Sequence, residues 1–326
     1  MKTTSAQNSQ ILYRHTKRPG WGLAVVAWDQ VDKRGYQFED GKLRVFTHDF
    51  YRMLEEVDPP ADQTRRVLEQ LGRAMGRREA VRSKGGVLVP VAEQIAYFKE
   101  QYPDGFSGDA WTRKMRGDGA KTVLKRHRDP TLTRARERLA PKKLKRLINA
   151  RQYDAVVDSL VDVLEQTNLV TSGKLGPLRS ATQRRREAIA LALPQLLYGE
   201  GPFASRFDEL VRGIGEPSWE LATAPMALVY PEAHACIKPG VFNQQALWMA
   251  PHFAHSRRPT GETYQRYLKM ALAVSRLLEE AGVPPRDLLD VHDFIDLTLR
   301  PATRKLLAER GREHSAAEPA RDREAA

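Results

Sequence analysis

A chain of 326 residues, 41% hydrophobic, is long enough for two or three domains with real cores, and its one cysteine, Cys236, excludes an intramolecular disulfide or a cysteine-rich zinc module. No apolar run approaches the roughly 20 residues that span a bilayer. Met1 to Thr16 is polar without an apolar stretch, so no secretory signal is expected and a cytoplasmic protein is the simplest reading. The net charge is +12, and its distribution along the chain carries more information than its size.

After a polar arm (1–18), turn chemistry at Pro19-Gly20 precedes a β-rich run from Trp21 to Trp28. A polar break, Asp29 to Arg34, separates it from Gly35-Tyr36-Gln37-Phe38, and Asp40-Gly41 leads into Leu43-Arg44-Val45-Phe46. Period-two alternation around an Asp-Gly turn is a strong hairpin signal. Residues 19–57 are therefore expected to form a small β-barrel. Trp21, Trp28, Tyr36 and Phe38 are its candidate protein-binding residues, wherever they face outward.

Asp58-Pro59-Pro60 marks a boundary, because paired prolines remove donors and discourage helix. From Ala61 the pattern turns helical (Val67, Leu68, Leu71, Met75), and Pro90 to Tyr102 reads as a second helix. Phe106 is expected to dock inward, and Ser107 or Asp109 to cap a helix carrying Trp111. Further helices are expected up to Pro130, from Thr131 to Ala140, and from Pro141, which suits a first turn. Tyr153 to Gln166 places Val156, Val157, Leu160, Val163 and Leu164 on one face. Ser180–Tyr198, Phe203–Val211, Pro217–Leu228, Phe242–Met249, Gly261–Ala281 and Pro285–Leu299 complete a helical body, with Trp219, Trp248, Tyr264 and Tyr267 read as core. Residues 309–326 lack apolar side chains larger than alanine and read as a disordered tail. The expected fold is mainly α with a small N-terminal β-barrel (α+β, multidomain), with a basic helical domain over 58–155 and a helical C-terminal domain over 156–308.

Between Arg113 and Arg151 stand fifteen Lys or Arg against three acids, Asp118, Asp129 and Glu137, so this window nets +12 and the rest of the chain is balanced. Such a local patch is the electrostatic footprint of a polyanion binder. The candidate phosphate contacts are Arg113, Lys114, Arg116, Lys121, Lys125, Arg126, Arg128, Arg134, Arg138, Lys142, Lys143, Lys145 and Arg146. The few acids inside the window argue against a salt-bridged surface. No helix-turn-helix, finger or RNA-recognition signature is present, so backbone contact without sequence readout is expected, to DNA or RNA.

Signals for chemistry are weaker. His234, Cys236, His252 and His255 fit no standard zinc spacing, and no metal or cofactor is expected. Asp287, Asp290 and Asp293 recur every third residue beside His292, but acids at a helix start are accounted for by the helix dipole. No Gly-x-Ser-x-Gly elbow or phosphate-binding Gly-rich loop is present. A non-enzymatic binding protein is thus the first reading. An enzyme or effector of phage defence or nucleic-acid processing, built around His234, Lys238, Asp287 and His292, is the second. An adaptor that meets an acidic protein is a third.

The stretch PGWGLAVVAWDQVDKRGYQFEDGKLRVF, through Gly20, Trp21, Gly22, Val25, Val26, Tyr36, Phe38, Glu39, Asp40 and Gly41, resembles the Tudor/SH3-like modules of CarD-type transcription factors, of the C-terminal ends of DNA-repair helicases, and of some transcript-cleavage-factor-like proteins. The resemblance implies a docking module for a protein partner such as RNA polymerase or a helicase or nuclease. The stretches PEAHACIKPGVFNQQALWMAP and YQRYLKMALAVSRLLEEAGVPPRDLLDVHDFIDLTLRP resemble a helical region of uncharacterised bacterial proteins, some accompanying restriction or phage-defence genes.

Overall fold

The computed structural model describes residues 12–30, 33–57, 59–60, 63, 67, 71, 89–249, 256–307 and 309–310. It has a mainly-α, α+β layout in two compact units, 1–86 and 87–326. Most of the helix expected from Ala61, the 1–11 part of the arm and the 311–326 part of the tail lie outside the described residues.

In the first unit, β1 (Leu12–His15), β2 (Leu23–Gln30), β3 (Lys33–Phe38), β4 (Leu43–Thr47) and β5 (Leu54–Val57) form one antiparallel sheet in the order β4-β3-β2-β1-β5. No pairing joins β4 to β5 among the described residues, so the sheet is open and the expected closed barrel is replaced by a five-strand sheet. The Asp-Gly turn is present as read: the Gly41 amide donates to the Phe38 carbonyl, and the Phe38 amide donates to the Lys42 carbonyl. Gly41 takes the positive φ (79°) that such a turn favours.

Alternation sorts the strands into two faces. One buries Tyr13, Ala24, Tyr36, Phe38 and Leu54, with Trp21, Val26 and Phe46 packed against them. The other buries Leu12, Leu23 and Val25 with Val67 and Leu71. Tyr36 and Phe38 are thus interior rather than outward-facing anchors, and their rings meet those of Tyr13, Trp21 and Phe46 edge-on or tilted. Trp21 is half-buried, with the Arg44 guanidinium 3.8 Å from its ring centre and held there by both oxygens of Asp40. Trp28 pairs with Gly35 just after a register shift in β2.

The second unit is helical. Its elements are α1 (Val91–Gln101), α2 (Arg128–Arg138), α3 (Pro141–Asn149), α4 (Tyr153–Glu165), α5 (Gln183–Tyr198), α6 (Phe203–Ile214), α7 (Trp219–Val229), α8 (Pro239–Met249), α9 (Gly261–Glu280) and α10 (Leu288–Leu299). One core runs from Val89 to Leu307, and α7, apolar on every side apart from Glu220 and Thr223, is buried at every residue. All five apolar residues expected on the α4 face are buried, and Pro141 opens α3.

Three expectations change. The chain does not divide at 155/156, because α2 and α3 pack on α4, α5 and α7 within the same core. The helix expected up to Pro130 is a loop over 117–127, since Gly117 and Gly119 both adopt positive φ (82° and 63°). Pro130 instead sits in the first turn of α2, where its missing N–H leaves no intrahelical bond unmade. Trp219, Tyr264 and Tyr267 are core, but Trp248 is 44% exposed.

Gly22 carries a direct prediction for the first unit. Its φ is +76°, and a β-carbon there would stand 2.6 Å from the Glu39 carboxylate, which accepts the Leu23 amide at 2.5 Å. Gly22→Ala should destabilise the first unit by about 1–3 kcal/mol. Denaturant unfolding of the intact chain, followed by tryptophan fluorescence, would measure it.

Candidate functional site

The thirteen candidate phosphate contacts separate by exposure. Arg116 and Arg128 are buried, at 1% and 2% exposure. Arg116 donates through both terminal nitrogens to the Asp287 carboxylate (2.8 and 2.7 Å) and through Nε to Asp290 (3.0 Å). Arg128 forks onto both oxygens of Asp293 (2.9 and 2.6 Å) and reaches Asn168 Oδ1 at 2.7 Å. These two side chains hold the fold, and their burial keeps them off the outer surface that a nucleic-acid backbone would meet. Burial works against the charge on each, but the facing aspartates outweigh it and raise both guanidinium pKa values.

The acids come from α10. Asp287 caps it, accepting the Leu289 and Asp290 amides, as its position at the helix start suggests. Asp290 is fully buried and also accepts from Trp111 Nε1 (2.8 Å) and the Arg286 amide (2.9 Å). Burial pushes its carboxyl pKa up while Arg116 opposes that rise. Six residues further on, Asp296 accepts from Lys238 at 2.6 Å.

Other arginines of the window pair at the surface: Arg113 with Asp109, Arg136 with Glu232, and both Arg134 and Arg138 with Asp162. The compensating acids therefore exist, supplied mostly from outside the 113–151 window, where sequence proximity does not reveal them. Lys114, Lys121, Lys125, Arg126, Lys142, Lys143, Lys145 and Arg146 make no ion pair among the described residues. All are exposed except Lys143, which is half-buried. Lys121, Lys125 and Arg126 lie on the 117–127 loop, together with Val123 (63% exposed) and Leu124 (40%). Lys142, Lys143, Lys145 and Arg146 lie on α3, whose Leu144 and Leu147 face the core. Partial burial, then repulsion from Arg138 and Arg146, lowers the Lys143 pKa, so this is a positively charged neighbourhood.

The second unit also holds a cavity of about 170 Å³, lined by charged and apolar side chains alike. Arg128, Asp293, His292, Lys238 and Asp296 line one part of it, and Lys174, Glu220, Asn168, Lys114 and Arg300 line more. His292 Nδ1–H donates to the Cys236 carbonyl at 2.7 Å, which leaves Nε2 as an acceptor in the neutral ring. Burial lowers the His292 pKa and favours that neutral form.

Of the four residues of the enzyme reading, Lys238 and His292 share this cavity, but His234 and Asp287 do not. His234 stacks on Phe203 with Nδ1 3.1 Å from the Tyr264 hydroxyl, and Asp287 is committed to Arg116. The four side chains therefore do not converge. Cys236 is fully buried, and burial pushes its thiol pKa up to about 12, so it is not poised as a nucleophile. His252 and His255 lie outside the described residues. Among the described residues no helix is long and apolar enough to cross a membrane. Comparison with protein-family models, with curated proteins and with solved structures finds no match.

Two predictions follow from this geometry. Asp293→Ala strands the Arg128 charge and should destabilise the second unit by about 3–5 kcal/mol. The double change Arg128→Met with Asp293→Leu should recover most of that loss. Urea denaturation of the three variants checks it. Separately, burial and then Arg206 lower the His234 pKa from 6.5 to about 4. The unfolded state then binds the extra proton first, so His234 contributes stability that is complete above pH 6.5 and is lost as the pH falls towards 4. Denaturation midpoints between pH 7 and 4 should fall less steeply for His234→Gln.

Proposed function

We propose that the chain binds the sugar–phosphate backbone of nucleic acid without reading base sequence, through two cation clusters: Lys121, Lys125 and Arg126 on the 117–127 loop, and Lys142, Lys143, Lys145 and Arg146 on α3. The observation that supports this reading is that these seven side chains make no ion pair among the described residues, while their neighbours in sequence do. The clusters lie beyond opposite ends of α2, whose eleven residues rise about 16 Å. That is about half a helical turn of duplex, so one duplex can meet both. Arg116 and Arg128 play no part in this contact, and Arg113, Arg134 and Arg138 enter it only by giving up surface pairs. In the first unit, any docking of a protein partner falls to exposed side chains such as Val45 (48%) and Phe50 (49%), because Tyr36 and Phe38 are interior.

The test is fluorescence anisotropy with duplex DNA, single-stranded DNA and RNA of equal length across a salt series. The affinity should fall steeply with salt. Changing Lys125, Arg126, Lys142 and Lys143 together to Glu should flatten the log–log slope for duplex by about 3–4, since each phosphate contact contributes about 0.9. No binding at low salt, or a slope the variant leaves unchanged, would contradict the reading.

A further inference from the structure

The cavity carries more positive charge than its own acids neutralise. Arg128, Lys238 and Lys174 are each matched to a carboxylate of the same wall: Asp293, Asp296 (2.6 Å) and Glu220 (2.6 Å). Lys114 and Arg300 also line it and make no ion pair among the described residues. Lys114 Nζ donates to the Tyr102 hydroxyl at 2.8 Å and keeps two N–H groups. Arg300 Nε donates to Thr303 Oγ1 at 3.1 Å, and its two terminal nitrogens make no hydrogen bond among the described residues. With His292 neutral, the wall has a surplus of about two positive charges.

Size and hydrogen-bond chemistry narrow the ligand. A cavity of about 170 Å³ is close to the roughly 150 Å³ that admits a benzene-sized guest, and below the roughly 300 Å³ at which sites begin to enclose drug-sized ligands. It suits a compact dianion with few carbon atoms. His292 Nε2 can only accept, so the ligand should also bring a donor. A phosphate monoester with a hydroxyl on its organic part, such as glycerol phosphate, fits both demands: a second pKa near 6 leaves the phosphate with about −1.5 to −2 charges at neutral pH, and the alcohol O–H is the donor. A small dicarboxylate without a hydroxyl has the charge without the donor.

The cavity is also tied to the basic loop. Lys114 and Arg128 stand on either side of the 117–127 segment in the chain, and both line the cavity. Arg126 Nε donates to the Lys114 carbonyl at 3.1 Å, and the Asn168 amide donates to the Lys125 carbonyl at 2.9 Å. Asn168 is itself a lining residue. Two of the exposed loop cations are thus held to the wall of the cavity.

We propose that this cavity is a binding site for a phosphate monoester, held by Lys114 and Arg300, with His292 Nε2 accepting from the ester's hydroxyl. Two sources share this chemistry: a small phosphorylated metabolite, and the terminal phosphate of a nucleic-acid strand lying along the loop. Only the second rests on backbone binding.

The test uses the intact chain in two arms. Calorimetric titration with glycerol phosphate reads the site without nucleic acid. Anisotropy with single strands ending in 5′-phosphate, 3′-phosphate or hydroxyl, at one salt concentration, reads the strand-end source. The comparison variant is Lys114→Gln with Arg300→Gln, both exposed side chains whose loss leaves the core intact. Saturable one-to-one binding of glycerol phosphate that weakens at least tenfold in the variant supports the site. So does an affinity at least tenfold higher for one phosphate-ended strand that disappears in the variant, and this result names the strand end as the source. Absence of both, or either effect persisting unchanged in the variant, overturns the proposal. The backbone contact is tested separately by the salt slope of hydroxyl-ended strands, which the cavity variant should leave unchanged.

Discussion

Burying a guanidinium is tolerated only where carboxylates replace its water, and the second unit meets that condition along one helix. Asp287, Asp290, Asp293 and Asp296 recur at every third residue of α10 and its cap. Arg116, Arg128 and Lys238 are drawn onto them. Removing one partner of such a pair is far more damaging than never having had it, because the remaining charge stays buried. These contacts join the basic segment to a helix more than 150 residues later in the chain. They are also why residues 87–326 form one unit rather than a basic domain beside a helical one.

The same pairing decides what the basic window offers to the outside. Charge counted along the chain treats fifteen cations alike, but the fold removes Arg116 and Arg128 from the surface and gives surface partners to Arg113, Arg134, Arg136 and Arg138. The cations without ion-pair partners among the described residues lie mostly on the 117–127 loop and on α3, with Arg151 just beyond α3 and Lys114 at the cavity. Arg128 and Asp293 act twice: their fork closes the core and also forms a wall of that cavity. A structural ion pair and a candidate ligand site are thus built from the same side chains.

Much of the fold was legible in the sequence. The Asp40-Gly41 hairpin, the five-residue apolar face of α4, Pro141 opening α3 and the stabilising acids at the start of α10 all rest on local periodicity or turn chemistry, which a single sequence carries directly. Most of what the sequence left open or misplaced shares a physical cause. Closure of the sheet, the inward direction of Tyr36 and Phe38, and the partners of Arg116 and Arg128 all depend on contacts between residues far apart in sequence. The helix expected before Pro130 failed for a local reason, the left-handed glycines at 117 and 119. The triplet Gly117-Asp118-Gly119 is the local sequence signal of that loop. The cavity could not have been read in advance, because its lining comes from separate segments between Tyr102 and Arg300.

The central claim is that the basic window contains two populations of cations, one that holds the fold and one that faces a polyanion. The most direct test measures stability and duplex affinity on the same two variants, Arg116→Gln and Lys142→Glu with Lys145→Glu. The account predicts a crossed result. Arg116→Gln lowers the denaturation midpoint and, at a temperature where it remains folded, keeps the affinity. The α3 variant keeps the midpoint and loses affinity. If Arg116→Gln weakened binding at unchanged stability, or the α3 variant bound as tightly as the parent, the division would be contradicted.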